Sequence, residues 1–203
     1  VSASLAPHLV PLAVKALYDV FPGLKCRVEV LVAPIMVQAL LDRSAHLGVG
    51  LLPNEHPNLV SVSSYRCGLA CVMHESHPLT AHTLIRPRDL LGQRVITAPD
   101  SLLYGQALQR SYGRLRPRLQ RDLEVRSATT ACWFAQAGIG VAVVDGTAVA
   151  GQTLKGLAVR PFHSREQLDV RILRNRYRPM SGIEKTFCRL FDKVWRTEME
   201  PGR

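Results

Sequence analysis

No apolar stretch of this 203-residue chain approaches the roughly 20 residues that a membrane-spanning helix needs. No membrane partner is expected. The opening VSASLAPHLVPLAV has no basic start and no small-residue cleavage site ahead of mature sequence, so no signal peptide is expected either. Cysteine is scarce. The five residues (26, 67, 71, 132 and 188) are odd in number and scattered, which suits reduced, buried thiols in a cytoplasmic protein and not a disulfide framework. Cys67 and Cys71 would share one face of a strand, which is not a metal spacing. Catalytic signatures are missing as well: no G-x-S-x-G, P-loop, Ser-His-Asp order or metal-ligand cluster. No enzyme activity, metal or cofactor is therefore expected. Acidic residues are the minority, 16 against 26 basic ones, nearly all arginine, for a formal charge of +10. Arg110, Arg114 and Arg118 would form a stripe on one helix face. With no recognition-helix pattern beside it, the stripe reads as a solvated face, and a contact to DNA or a partner subunit is the other reading.

What is present is a globular composition, 47% hydrophobic, long enough for one large domain or two lobes of about 100 residues each. The most informative stretch is Ser127 to Ala150. Hydroxyl residues suited to a helix start lead into an apolar turn (Ala131, Cys132, Phe134, Ala135), and Gly138 and Gly140 punctuate the chain after it. The uncharged run Val141–Val144 reads as a strand buried on both faces. Such a loop, helix, turn and strand is half of an α/β unit, and its open end at Ser127, Thr129 and Thr130 presents backbone N–H groups to an anionic ligand.

The pattern elsewhere agrees. A helix from Ser2-Ala3-Ser4 to about Val20 keeps Pro7 and Pro11 in its first turns, and Phe21-Pro22-Gly23 stops it. Val1 enters mid-element, as the end of a strand. Cys26 to Val32 alternates as a strand, and Pro34 to about Asp42 is a short helix with Ile35, Val37, Leu40 and Leu41 inward. Leu47 to Leu52 is a buried strand. This alternation predicts a parallel sheet with crossovers. Strands follow at LVSVSSY, GLACVMH, Arg94–Thr97 and Leu123–Arg126, with helices at Ile85–Leu91 and Leu102–Leu115. The last pieces are strands at Leu157–Phe162 and Leu168–Leu173 and an amphipathic helix from Ser181 to about Glu198. The order suggests two α/β lobes, one built from both ends of the chain. Ligands of open α/β sheets bind beyond the carboxyl ends of the strands, here in an inter-lobe cleft.

Three pieces in this order carry a resemblance. They are the helix ending Phe21-Pro22-Gly23; Val72-Met73-His74-Glu75-Ser76-His77-Pro78-Leu79 with Asp89-Leu90-Leu91-Gly92 and Ile96; and Phe134 through Val144 with its Ala137-Gly138-Ile139-Gly140 turn. Together they resemble the effector-binding domain of LysR-type transcriptional regulators over essentially the whole chain. The tail Val144-Asp145-Gly146-Thr147-Ala148 is similar to the subgroup that senses amino acids and opines. The resemblance implies an α/β fold of two Rossmann-like lobes with a hinge, periplasmic-binding-protein-like (type II). Lobe I would span 1–66 plus 163–203, and lobe II 67–162. It implies a bacterial protein that binds a small-molecule effector and itself as a dimer or tetramer, with RNA polymerase a further partner. DNA would be reached only through an N-terminal winged helix-turn-helix that this chain does not contain. The chain departs from the pattern at Arg43-Ser44-Ala45-His46, where the family has G-x-x-D, and at Val32-Ala33-Pro34, where polar residues are common.

The resemblance places the effector against four loops: Ser2-Ala3-Ser4, Val32-Ala33-Pro34, Ser101-Leu102-Leu103-Tyr104 and Ser127-Ala128-Thr129-Thr130. Three of them set Ser or Thr beside a predicted helix start, where hydroxyls and free N–H groups bind a carboxylate. The candidate effector residues are thus Ser2, Ser4, Ala33, Pro34, Ser101, Leu102, Tyr104, Thr129, Thr130 and Asp145. Each hydroxyl has the alternative of capping its own helix, Tyr104 that of core packing, and Asp145 that of forming the turn before Gly146. His46 reads as a buried or hinge residue, His74 and His77 as surface residues. A solute-binding protein for transport, with the same two-lobe fold, is the second functional reading.

Overall fold

The computed structural model describes residues 1–53, 56–151 and 154–200. The chain forms two compact units: Val1–Tyr65 with the described part of Asp169–Arg203, and Arg66–Leu168.

In unit 1, helix α1 (Leu9–Val20) packs against α5 (Gly182–Met199). α1 begins later than Ser2 because Pro7 disfavours helical backbone at the residue before it; residues 3–7 are turns. Leu9, Val10, Ala13 and Leu17 form its buried stripe at helical spacing. α5 opens on a capping box: the Ser181 hydroxyl accepts from the Glu184 N–H, and the Glu184 carboxylate accepts from the Ser181 N–H. Its Phe191 and Trp195 join Tyr65 in an aromatic cluster, with Tyr65 stacked on Trp195 at 4.8 Å between ring centroids.

Helix α2 (Ala33–Leu41) buries Met36 and Leu40 against the adjoining sheet, whereas Ile35, predicted inward, is 54% exposed. The inward stripe of so short a helix is one residue pair wide, and Met36 with Leu40 occupies it. The sheet runs β1 (Gly48–Leu51), β8 (Leu168–Asn175), β2 (Leu59–Cys67), and β1 and β8 are antiparallel, so the predicted run of parallel crossovers is not what builds it. The stretch 26–32 forms no ladder with this sheet. Its strand-like bonds are to Val1: the Val1 amine donates to the Glu29 carbonyl and the Leu31 N–H to the Val1 carbonyl, and Leu31 packs against the core around Met36 and Leu40.

In unit 2 the five-stranded sheet has the order β5 (Gln120–Glu124), β4 (Arg94–Thr97), β6 (Val141–Asp145), β3 (Leu69–His74), β7 (Leu157–Pro161). β4 is parallel to β5 and to β6, while β3 is antiparallel to β6 and to β7. Val141 to Val144 are each 0% exposed, as their lack of charge and polarity requires. Cys67 and Cys71 sit on different strands, separated by Gly68, so they do not share a strand face.

Helix α3 (Leu103–Tyr112) ends at Gly113, whose φ of 53° breaks the helix, and 113–118 continue as a 3₁₀ turn. The predicted arginine stripe is therefore cut. Only Arg110 lies on α3, and it donates to Glu166 at 2.7 Å. Helix α4 (Ala128–Gln136) covers the sheet against β3, β4 and β6 and ends before Gly138, at φ 73°. Its follower Gly140 runs against the Arg94 backbone, where a Cβ would lie 3.2 Å from the carbonyl carbon. The stretch expected to be a helix at 85–91 is a 3₁₀ turn, Pro87–Leu90.

Candidate functional site

In unit 2 three parallel strands end on one edge. β4 runs into the loop holding Ser101 and Leu102, β5 into Ser127–Thr130, and β6 ends at Asp145. The register Thr97↔Glu124 and the Val125 N–H bond to the Thr97 carbonyl (2.8 Å) hold the first two loops side by side. Ser101, Leu102, Tyr104, Thr129, Thr130 and Asp145 are thus gathered at the carboxyl edge of this sheet, where ligands of open α/β folds sit.

Their environments differ. Ser127 caps α4, its hydroxyl accepting from the Thr130 N–H at 3.3 Å. That is the capping role, and it leaves the side chains of Thr129 and Thr130 on the first turn of the helix. α3 begins differently: its N-cap is Leu102, and no side chain caps it. Ser101 is exposed beside this end. An uncapped helix start concentrates unsatisfied N–H groups and positive potential at the loop that holds Ser101.

Tyr104 and Asp145 are turned inward, 7% and 1% exposed. The Tyr104 hydroxyl donates to the Val143 carbonyl, and the Thr147 hydroxyl donates to the Asp145 carboxylate. Burial, and after it the neighbouring Asp145 charge, push the Tyr104 phenol well above its ordinary value. The same two causes push the Cys132 thiol of α4 up to about 11. Asp145, Tyr104, Cys132 and Thr147 are one buried polar knot beneath the edge. Thr147 and Cys132 were not foreseen in this role. The Asp-x-Thr spacing of a turn in which side-chain oxygens bond locally carries the signal for the former; nothing local marks the latter, which α4 delivers from above.

In unit 1 the Ser2 and Ala33 loops are neighbours, because the Val1 carbonyl accepts from the Leu31 N–H at 3.0 Å. The Ser2 hydroxyl accepts from the Leu51 N–H at 3.2 Å, and Ser4 is 5% exposed. Ala33 and Pro34 open α2 as its first two residues. Gly50 makes room for Ser2: a Cβ there would lie 2.8 Å from the Ser2 Cβ. A glycine inside a strand marks such a close approach. His46 lies on a groove wall near Glu184, and the His77 ring caps the Leu79 N–H at 3.2 Å. Among the described residues no group of three or more His, Cys, Asp or Glu is placed to hold a metal ion, and no helix is long and apolar enough to cross a membrane.

A family model described as "LysR substrate binding domain" matches residues 1–196. The transcriptional activator protein LysR of Escherichia coli (strain K12) is 24% identical over 177 residues, covering 76% of this chain and 57% of its own length. The chain thus spans little more than half of that relative. Among solved structures, the Synechocystis PCC6803 CcmR regulatory domain in complex with 2-PG has a TM-score of 0.78 at 16% identity, covering 94% of this chain and 93% of its own. The BenM effector binding domain with its effector benzoate has a TM-score of 0.75 at 17% identity, covering 97% and 90%. At such identities these likenesses establish the fold.

Proposed function

From the premise that this chain belongs to the LysR substrate-binding domain family and has its two-lobe, type II periplasmic-binding-protein-like α/β fold, we propose that it senses a small anionic effector for a transcriptional regulator. We assign the regulatory lobes to about 1–66 plus 163–203 and 67–162; the compact units divide at Arg66 and after Leu168, so 163–168 fall in unit 2. The observation that carries the reading is the carboxyl edge of unit 2, where an uncapped helix start lies beside Ser101 and the first turn of α4 presents Thr129 and Thr130. Backbone N–H groups, hydroxyls and helix dipoles directed to one edge suit a carboxylate, the group that the BenM ligand benzoate carries. Leu102 supplies apolar contact. Tyr104 and Asp145 position this edge from beneath and do not reach the ligand, since both are buried and bonded within the unit. Unit 1 by itself offers Ser2, Ala33 and Pro34 as further candidate contacts, whereas Ser4, 5% exposed, is held in its core.

A sensor's role agrees with the description of the curated relative as a transcriptional activator. Binding shifts the balance between two arrangements of a regulator. Contact with DNA belongs to the rest of such a protein, and self-association transmits the shift. The test is thermal-shift and calorimetric screening against amino acids, opines and aromatic acids. A binding carboxylate should lose affinity about tenfold or more in Ser101→Ala and Thr129→Ala, each hydrogen bond to a charged group being worth about 1.5–3 kcal/mol. A ligand that binds both variants as tightly as the parent rejects these contacts.

A further inference from the structure

In the layer between α3 and the sheet of unit 2, one arginine stands apart from its neighbours. Arg110 donates to Glu166 and Arg116 to Asp100, while Arg114 and Arg118 are exposed to solvent. Arg121 of β5 is half-buried, and its Nη1 donates to a neutral group, the Gln109 Oε1, at 3.2 Å. Its Nε–H is shielded from solvent and meets no acceptor among the described residues. A guanidinium stays ionised at any working pH, and an uncompensated charge inside a protein is costly.

The pairing of β5 with β4 explains how Arg121 reaches this layer. Between the pairs Arg94↔Gln120 and Ile96↔Leu123, Val95 alone faces both Arg121 and Asp122, which makes a β-bulge. Regular alternation would set Arg121 on the face of Leu123 and Ile96. The bulge brings it to the opposite face, that of Thr97, under α3. Gln109 and Tyr112, three residues apart on α3, meet it from above. Tyr112 and Thr97 are each 2% exposed, and neither hydroxyl has a hydrogen-bond partner among the described residues. Burial first, and then Cys71, push the Tyr112 phenol up, so it keeps its proton; the Thr97 hydroxyl and the Arg121 charge beside it act against the shift. The Gln109 Nε2 is buried and unbonded as well. Its orientation follows from Arg121, because the amide oxygen must face the guanidinium.

We propose that one halide-sized anion, such as chloride, binds between α3, β4 and β5 and accepts from the Arg121 Nε–H, the Gln109 amide and the Tyr112 and Thr97 hydroxyls. A water molecule has two lone pairs and two protons of its own, whereas the two nitrogen groups here can only donate. An anion accepts from all four groups and offsets the guanidinium charge. Neighbouring strands lie about 4.8 Å apart and the helix packs directly on them, which suits a single atom and not a phosphate. None of these residues is a proposed effector contact. Thr97 nevertheless ends β4, whose loop carries Ser101, and its carbonyl accepts from the Val125 N–H ahead of α4. The anion thus braces the frame on which both loops stand.

The test follows melting as potassium gluconate is exchanged for potassium chloride at constant ionic strength. The midpoint should rise by about 3–5 °C between a tenth of the dissociation constant and ten times it. The chloride NMR line should broaden in the presence of the protein, and crystals grown in bromide should show anomalous density against the Arg121 Nε. Arg121→Met should abolish the broadening and the melting shift, and Gln109→Leu should weaken chloride binding about tenfold or more. Arg118→Met removes an exposed arginine nearby and should change neither, which separates a site from general screening. Should Arg121→Met fail to fold, the Gln109→Leu titration and the bromide crystals decide. A parent protein indifferent to chloride, a response kept in full by Arg121→Met or Gln109→Leu, or a water in place of bromide overturns the proposal.

Discussion

Gly105, in the first turn of α3, tests whether the loop that carries Ser101 is seated as the fold places it. A Cβ at this position would lie 2.7 Å from the carbonyl carbon of Pro99, closer still to its oxygen, and 3.1 Å from the Ala98 oxygen. These are backbone atoms, and the Pro99 carbonyl is further held by the Leu102 N–H at 3.1 Å. The loop cannot yield by a rotamer change; it must move as a piece. Two effects oppose each other in Gly105→Ala. Replacing glycine in a helix contributes about 0.5–1 kcal/mol of stability, whereas forcing a methyl group into a filled site costs about 1–3 kcal/mol. The steric effect wins, by about 1–2 kcal/mol. At about 2–4 °C per kcal/mol for a chain of 150–250 residues, the midpoint of a thermal melt by circular dichroism should fall by about 2–8 °C. Gly182, the first residue of α5, has open space within 4 Å of where a methyl group would sit, so Gly182→Ala should melt at or slightly above the parent. A Gly105→Ala protein as stable as the parent would refute the close seating of Pro99 on α3. The displaced loop should also weaken any carboxylate ligand that Ser101 contacts.

The same geometry sets other outcomes. Ser127→Ala removes the α4 cap and should cost about 1 kcal/mol in denaturant unfolding, whereas Ser127→Asp, which can accept the same bond, should recover most of it. Of the five thiols only Cys26 is exposed, and burial raises those of Cys71, Cys132 and Cys188, the last two to about 11. A thiol-reactive dye at neutral pH should therefore show one fast equivalent that Cys26→Ser abolishes; a second fast thiol would contradict the packing. Burial pushes the Glu184 carboxyl up, but the Arg178 hydrogen bond, the Ser181 backbone N–H and the Arg178 charge outweigh it and hold the group below its ordinary value. Its folded pKa is thus below its unfolded one. The stability it contributes is complete above the unfolded value and is lost as pH falls through the folded one. Glu184→Gln should flatten the acid side of the stability–pH profile, and an unchanged slope would reject the pairing.

Much of this protein was legible in its residues because the controlling physics is local. Val141–Val144 has no polar side chain to present to water, so a covered strand is its consistent home, and each of the four is fully buried. Ser127 and Ser181 sit where a hydroxyl satisfies an otherwise unbonded helix N–H, and both cap the helices they precede. The order of strands and helices pointed to two α/β lobes, and the family match and the structural likenesses bear out that class. Other features depend on partners distant in the chain. The alternation of 26–32 states a capacity to pair, but a strand exists only where another backbone meets it, and among the described residues the pairing there is with Val1 alone. The antiparallel pairing of β1 with β8 joins residues more than a hundred places apart, beyond any local periodicity. Ile35 and Met36 are equally apolar, and only the sheet beneath α2 selects which is buried. Asp145 and Tyr104 have residue types suited to a ligand, yet the knot formed with Thr147, Val143 and Cys132 turns them inward. Residue chemistry determined which elements form and where helices begin; the meeting of remote backbones decided which strands pair and which polar groups are turned inward.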